Sequence, residues 1–539
     1  DTSNRDFVTN ETILSGDIGV AVVNTDNCYH ALVSAGAVGN AEVNGFTVTG
    51  GNAIIDVSIS VNSQVINSGS GAGMCCVVSS PSIRQCKFIN NNAAGVGAAI
   101  FNLNSNPLIV ANTFKSNMAI IYGGAIANEG SSANIFNNTF IENASQDGGA
   151  MYNINASPII TNSNFMGNTA GNGGGIFNNA STTKLTNCII TGNTASASGG
   201  AIYNSNGTAL VIINCTIAGN AATVNGGGLL QASGTAVIKN SIIWGNNTNI
   251  TGPGVTVSNC IIQGGFTGTN IYDIDPSFLF PQPFANAPTI LGDYRLLPCS
   301  PALNIGNNAD IPTGITNDLD LMPRIFYDDV DLGAYEQQTN IYVDGKYTTW
   351  KGVNTNWNNK INWCGGIVPT RLIDATISAT SNNPVISAAG ETKNLVLNNS
   401  TAIATTGAGS ININGTYTNS GSAIINDGLW VMDGTEAGQS FPGTNATVAA
   451  MNKLEIKNTS GVQLDKSFEI TGALIPTAGN INVNNGITIT LNSNADSTAS
   501  VAIIQAAASI SYTATGKFEV ERFIKTPRKW QLLSVPTDD

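Results

Sequence analysis

The clearest pattern in this 539-residue chain is a repeated run of apolar residues separated by Gly and Asn. Each copy opens with a Gly-rich tetrapeptide that closes on an apolar residue, as in Gly148–Met151. These closing residues follow one another at intervals of 26, 26, 25, 25, 26 and 27. They are Met74, Ile100, Ile126, Met151, Ile176, Ile202 and Leu229. A near-constant period of this length predicts stacked structural repeats.

The second half of each copy predicts how one repeat folds. In the copy that ends at Asn168, Phe165 and Ser163 stand two residues apart and therefore lie on one face of a strand. Ile160 breaks this alternation, and Asn162, which tolerates left-handed backbone, marks a turn between the two runs. Each copy thus predicts three short strands and three corners. Stacked coils of about 25 residues form a right-handed parallel β-helix with Phe, Ile and Asn ladders.

Cys188 and Cys215 occupy the same position in consecutive copies. One interpretation is a disulfide between neighbouring coils. The other is a pair of small buried thiols, in an inward position that Ser163 and Ser241 also fill. The chain has nine cysteines, one histidine and no CxxC motif, so no zinc site is expected.

The repeat resembles the polymorphic outer-membrane-protein repeat family, which pairs "GGAI" with "FxxN". The first motif stands at Gly123–Ile126 and Gly199–Ile202, and the second at Phe140–Asn143 and Phe165–Asn168. Later copies depart from the family by using Ile in place of Phe. The resemblance implies a secreted or surface-displayed β-helical protein, often an adhesin.

Residues 266–339 break the period and resemble the closing segment of many bacterial secreted β-helix proteins, through "IDPSF" and "VDLGAYE" among other motifs. The last coil of a solenoid exposes a sheet edge, so this segment is predicted to cap it. Asp318 and Asp320 are candidate calcium ligands, since calcium prefers clustered oxygen donors. The alternative is a turn-rich cap held by Asp–Arg pairs, for example with Arg324.

From residue 340 the composition changes, and Trp350, Trp357 and Trp363 fall close together. They are candidate ligand-binding residues that stack on sugar rings, or else a hydrophobic plug at the start of a domain. Thr348–Thr370 resembles the start of a module common in proteins that leave the cell by type IX secretion. Gly516–Pro536 also resembles such proteins, and there it opens a further domain. The short alternating runs between them predict a second all-β region, either an irregular solenoid or a sandwich.

These patterns divide the chain into five regions. We predict entry coils at 1–70, the regular β-helix at 71–265, its C-terminal cap at 266–339, a second all-β module at 340–515, and the start of a truncated further domain at 516–539.

Composition and charge argue against some classes of function, such as nucleic-acid binding, and limit the candidates for catalysis. The formal net charge is −13 and the sequence pI is about 4.5, so no basic surface is available for nucleic acid. No apolar run is long enough to span a bilayer. The coils contain few acids, and the candidate catalytic carboxylates are Glu129, Glu142 and Asp147. The alternative for these three residues is an ordinary solvated surface.

The sequence therefore favours a non-enzymatic, secreted or cell-surface β-solenoid that presents surfaces to glycans or surface proteins. The alternative is a polysaccharide lyase or glycoside hydrolase on a β-helix. No cofactor is expected apart from the calcium alternative. The resemblances imply the extracellular face of a Gram-negative outer membrane. They also imply secretion machinery as a partner, through a C-terminal domain beyond this sequence.

Overall fold

The computed structural model describes residues 9–20, 23–54, 57–207, 209–339, 341–398, 402–420, 423–441, 447–493 and 498–521. The chain divides into two compact units, Asp1–Gln338 and Thr339–Asp539. Each unit is built from parallel strands stacked coil upon coil, with its own buried core.

The first unit is a right-handed parallel β-helix with three strand positions per coil, as the sequence predicts. Sheet 1 bends between two ladders, 1a and 1b, and sheets 2 and 3 complete the coil. Ladder 1a comprises Glu42–Asn44, Ser82–Arg84, Leu108–Val110, Asn134–Phe136, Ile159–Thr161, Lys184–Thr186, Ala209–Ile213 and Thr235–Lys239. Ladder 1b comprises Thr12–Ser15, Phe46–Thr49, Lys87–Ile89, Thr113–Lys115, Thr139–Ile141, Asn164–Met166, Ile189–Thr191, Thr216–Ala218 and Ile242–Trp244. Val255–Ile262 extends both ladders, and Thr269–Tyr272 follows it.

The other two sheets run alongside sheet 1. Sheet 2 comprises Leu32–Ala35, Met74–Val77, Ile100–Leu103, Ile126–Glu129, Met151–Ile154, Ile176–Asn179, Ile202–Ser205, Leu229–Gln231 and Ile250–Thr251. Sheet 3 comprises Asn52–Ala53, Asn92–Ala93, Met118–Ala119, Ala144–Asp147, Thr169–Asn172, Thr194–Ser198 and Ala221–Ala222.

Strand register places like residues above like. Phe114 pairs with Phe140 and Phe140 with Phe165, and their buried rings stack at centroid distances of 4.8 and 4.5 Å. The predicted Phe ladder is therefore confirmed. The bend between ladders 1a and 1b is also confirmed, because Asn162 and Asn187 have φ of 49° and 50° there.

The Asn that ends each copy points into the solenoid and forms a buried amide ladder. The Asn168 Nδ2 donates to Asn193 Oδ1 at 2.8 Å and to the Phe140 carbonyl at 3.1 Å. Its Oδ1 accepts from the backbone N–H and the Nδ2 of Asn143. Each amide thus satisfies backbone groups that the corner would otherwise leave unpaired in the interior.

A Gly pair forms the tight corner before sheet 2 in five of the seven repeats, and Gly-Ala stands there in the copies that open at Gly71 and Gly97. Gly148 has φ of +69°, and a Cβ there would lie 2.3 Å from the Met151 carbonyl oxygen. A Cβ on Gly149 would lie 2.3 Å from the Gly174 carbonyl oxygen of the next coil. Both contacts are with backbone, which explains why this coil has Gly at both positions.

Two segments outside the coils cover the sides of the solenoid. An antiparallel hairpin, Ser58–Val61 and Gln64–Asn67, packs Ile66 against Cys75 and Val77 on the outer face of sheet 2. Phe278–Phe280 pairs in antiparallel fashion with Asp293–Leu296 in the region predicted to be the cap. The short 3-10 turns of this unit are Asn24–Asp26, Phe284–Asn286 and Asn308–Asp310.

The segment predicted to cap the last coil first pairs with it through Thr269–Tyr272 and then folds back along the outer face of sheet 1. Thr289 donates its N–H to the Gly192 carbonyl, and Gly333 donates to the Asn240 carbonyl. Leu332 and Ala334 pack on outward apolar residues of ladder 1b such as Ile242. An exposed sheet edge is the reason to predict a cap at the end of the solenoid. The outer face of ladder 1b is also apolar, and the rest of the segment buries that face.

The second unit begins with a short helix, Ile341–Gly345, and the 3-10 turns Lys360–Asn362 and Cys364–Gly366. One ladder comprises Tyr347–Thr349, Asp374–Ile377, Leu395–Leu397 and Tyr417–Asn419, and another comprises Gln439–Phe441, Val462–Leu464, Gly479–Val483 and Ala508–Tyr512. The largest sheet comprises Val385–Ile386, Ala389–Thr392, Ala402–Thr405, Ser410–Ile413, Ala423–Met432, Thr447–Ile456, Phe468–Pro476, Thr488–Asn492, Ser500–Val501 and Lys517–Glu521.

Paired strands of these sheets run parallel, for example Val462–Leu464 with Gly479–Val483, so this region is a second solenoid and not an antiparallel sandwich. The further domain was predicted to begin at residue 516. Its first residues form the strand Lys517–Glu521, which pairs with Thr488–Asn492 of this solenoid. Residues 522–539 lie outside the described residues.

Candidate functional site

The three candidate catalytic carboxylates do not form one cluster. Glu142 lies at the turn after Thr139–Ile141 of ladder 1b, where its Oε2 is 3.9 Å from the Lys115 Nζ. Glu129 ends a strand of sheet 2 and is exposed, and Asp147 ends a strand of sheet 3. The catalytic hypothesis required two or three carboxylates to converge in a cleft on one sheet face. Glu142 is separated from the other two because it belongs to a different sheet.

The outer face of sheet 2 carries a column of aromatic side chains. Each sheet-2 strand places its first and third residues inward, as Met151 and Asn153 show, so the second residue points outward. The outward residues of successive coils include Phe101, Tyr152, Phe177 and Tyr203. The Tyr152 and Phe177 ring centroids are 5.3 Å apart, and those of Phe177 and Tyr203 are 4.6 Å apart.

Ala127 interrupts this aromatic column between Phe101 and Tyr152. Tyr122 comes from the corner before Ile126–Glu129, the strand that carries Ala127. Its ring stacks on that of Tyr152, with centroids 4.2 Å apart and planes 8° from parallel. A cavity of about 210 Å³ remains, lined by these rings, by Ala127 and by Glu129. We call it the Ala127 slot. Drug-sized ligands occupy cavities of about 300 to 1,000 Å³, so the slot accepts one small chemical group.

One carboxylate, Glu129, lines the Ala127 slot, and a second, Asp147, lies close enough to affect Tyr152. The pKa of Tyr152 is raised chiefly by burial, against a hydrogen bond from Asn179, and the charges of Asp147 and Glu129 raise it further. Burial also raises the pKa of Asp147, whose Oδ1 accepts a hydrogen bond from Asn172 Nδ2 at 2.9 Å. Asp147 does not line the slot but lies beside one of its lining residues, Tyr122, with which it forms a parallel β-bridge.

The three tryptophans predicted to bind ligand are buried in the core of the second unit. Trp350 is 2% exposed, and Trp357 and Trp363 are 0% exposed. Trp363 packs edge-to-face against both other rings, at centroid distances of 5.0 and 4.8 Å. A buried indole offers no face to a sugar ring, so these side chains form the hydrophobic plug that was the alternative interpretation.

Asp318 and Asp320 have oxygens that are already engaged by donors. Asp318 Oδ1 accepts the N–H groups of Asp320 and Met322, and its Oδ2 accepts that of Glu336. Asp320 forms a two-pronged ion pair with Arg295, at 2.7 and 2.8 Å. Carboxylates that accept N–H groups in this way are not arranged to ligate calcium.

The buried side chains of this segment hold its chain path in place. Arg324 is buried and donates through Nη2 to the carbonyls of Asp331 and Gly333, and the same nitrogen lies 3.8 Å from Glu336 Oε2. This is the predicted alternative of an acid–arginine network, although Arg324 pairs with Glu336.

Cys188 and Cys215 are free, buried thiols one coil apart. The Cys188 N–H lies 3.4 Å from the Cys215 sulfur, and each thiol lies near the carbonyl two residues before it. Of the two interpretations, a pair of small buried thiols is the one that fits both residues. Burial raises the pKa of Cys215 well above its usual value, which keeps this sulfur protonated and unreactive.

No group of three or more His, Cys, Asp or Glu side chains within the described ranges could hold a metal ion. In the same part of the chain, no helix is long and apolar enough to cross a membrane. A scan of protein-family models, a search of curated proteins and a search of solved structures each found no match to this chain.

Sequence reasoning missed the outward aromatic column, although its signal is present in the repeat. Phe101, Tyr152, Phe177 and Tyr203 each follow the apolar residue that closes a Gly-rich tetrapeptide. The signal is weak because the same position holds Cys75, Ala127 and Leu230 in other coils. The contribution of Tyr122 could not be found in that way, because it comes from a corner and not from the aligned strand position.

Proposed function

We propose that this chain is a non-enzymatic stalk segment of a secreted or cell-surface protein that contacts glycans or surface proteins. The observation that carries the proposal is the outward aromatic column of sheet 2 on a stack of parallel coils, in which Tyr152 and Phe177 are buried against their neighbours and Tyr203 is the half-buried member that a ligand can reach. Repeated side chains on a rigid stack suit multivalent contacts, each of which is weak by itself. Aromatic side chains also supply much of the contact energy at binding surfaces.

We further propose that the protein acts at the extracellular face of a Gram-negative outer membrane and is exported by type IX secretion machinery. The support is the resemblance of the repeats to outer-membrane proteins and of Thr348–Thr370 and Gly516–Pro536 to secreted modules. Protease treatment of intact cells that produce the protein tests this location. Degradation without cell lysis is expected, and complete protection would contradict it.

A glycan array probed with the labelled chain tests the contact function. We expect binding to a subset of glycans, reduced about tenfold by Tyr203→Ala, because this half-buried ring lies in the outward column. The matched control is Phe136→Ala, which removes a partly exposed ring from sheet 1. Equal loss in both variants, or no bound glycan, would contradict glycan contact through sheet 2.

A further inference from the structure

The Ala127 slot combines aromatic walls with a negative rim. Phe101, Tyr122 and Tyr152 line it, and Ala127 leaves room that a larger residue would fill. Tyr152 is stacked on both faces, by Tyr122 and by Phe177, so the ring faces left for a ligand are those of Phe101 and Tyr122. The exposed carboxylate of Glu129 is among its lining residues, and no lysine or arginine is. The aromatic quadrupole attracts cations to ring faces, and a nearby carboxylate adds a full opposite charge.

We propose that the Ala127 slot binds a small organic ammonium group. Aromatic side chains beside a carboxylate recognise such groups, because the cation keeps favourable electrostatics while its apolar substituents leave water. The volume of about 210 Å³ admits one such group and no larger ligand. The Glu129 carboxylate in the lining disfavours anionic ligands such as uronic acids.

This inference does not depend on the array experiment, since an ammonium group is carried both by choline-type head groups and by amino sugars. The two sources are separated by using choline and glucosamine as probes. Each has a neutral counterpart, 3,3-dimethyl-1-butanol for choline and N-acetylglucosamine for glucosamine. The whole chain is used in every titration, and binding is followed by calorimetry or by ligand-observed NMR.

We expect at least one of the cationic probes to bind about tenfold more tightly than its neutral counterpart. The probe with the lower Kd identifies the source. If each neutral compound binds as well as its charged partner, or if neither cation binds, the inference is overturned. Neither result bears on the stalk function, which the array measures through Tyr203 and Phe136.

Two surface variants test whether the cation binds in the Ala127 slot. Glu129→Gln is expected to weaken binding of the cation about fivefold, because it removes the carboxylate charge and keeps the side-chain size. Glu142→Gln is the matched control, since Glu142 is also on the surface but faces Lys115 on ladder 1b. It is expected to leave the Kd unchanged. Equal weakening in both variants would show that the effect is one of overall charge and would overturn the assignment to the slot.

A third variant tests the space itself. Ala127→Leu fills the slot from its floor and is expected to abolish binding of the cation. Its fold is checked by circular dichroism, and unchanged binding in a folded variant would contradict the proposal. Should this variant not fold, the comparison of Glu129→Gln with Glu142→Gln decides the question, because both positions tolerate a change at the surface.

Discussion

At the scale of single residues, the buried asparagines explain why this sequence is rich in Asn. An amide that points into a solenoid must satisfy both its nitrogen and its oxygen, and stacking lets each one use the coils above and below. Asn168 takes part in four such hydrogen bonds, with Asn143, Asn193 and the Phe140 carbonyl. The side chain is therefore a structural element and not a candidate for ligand binding.

Replacing this side chain should be costly. Asn168→Ala removes the acceptor of the buried Asn143 backbone N–H and the side-chain bonds to Asn143, Asn193 and the Phe140 carbonyl, and a buried group left without a partner costs about 1 to 3 kcal/mol. We expect a loss of about 2 to 4 kcal/mol in the free energy of unfolding. Urea denaturation followed by circular dichroism measures it.

The control for this substitution is Asn106→Ala. Asn106 is exposed, and its Oδ1 accepts the N–H of Ser132 at the surface, where water can replace the bond. The expected loss is below about 1 kcal/mol. Similar losses of stability at both positions would contradict the view that the Asn ladder stabilises the protein by pairing buried hydrogen-bonding groups.

At the scale of elements, the segment that folds over sheet 1 is held by acids that are costly to ionise. Burial raises the pKa of Glu336 from its usual 4.5 to about 9, and that of Asp331 to about 6. Arg324 opposes both shifts without cancelling them. The folded segment therefore keeps its protons at a pH where the unfolded chain has released them.

This difference fixes the sign of the pH dependence. Between about pH 4.5 and 9 the folded state holds more protons than the unfolded state, so stability falls as pH rises. We expect amide hydrogen exchange in residues 318–336, corrected for its intrinsic rate, to report a lower opening free energy at pH 9 than at pH 6. Glu336→Gln should flatten this dependence, whereas the surface substitution Glu142→Gln should not. A segment whose stability rises with pH would contradict the assignment.

At the scale of the whole molecule, the chain is two solenoids that each bury their own core. The largest core cluster of the first unit runs from Val48 to Ile262, and that of the second runs from Trp350 to Ala499. Because a solenoid is stabilised mainly by contacts between adjacent coils, we expect each unit to fold around its own core.

A chain ending at Gln338 tests this independence. We expect residues 1–338 to fold and to show a thermal transition within a few degrees of one found in the whole chain, because the first unit retains its core clusters. Circular dichroism on heating provides the measurement. A fragment without a cooperative transition would contradict the independence of the first unit.

The sequence by itself determined the repeat and its interior. The period of 25 to 27 residues, the inward Phe and Ile positions and the left-handed Asn turns were readable because stacking repeats the same local geometry in every coil. The sequence does not decide whether the second unit is a solenoid or a sandwich, because its strands are short and irregularly spaced. Only the parallel pairing of those strands distinguishes the two folds.

Only the tertiary structure decided what lies outside the coils. It buried Trp350, Trp357 and Trp363, and it engaged Asp318 and Asp320 with donors. The segment that follows the last coil packs on the outer face of sheet 1, which the sequence did not predict. These outcomes depend on side chains that are distant in sequence and belong to no period. The Ala127 slot arises in the same way, because Tyr122 from a corner completes a column whose other members come from strands.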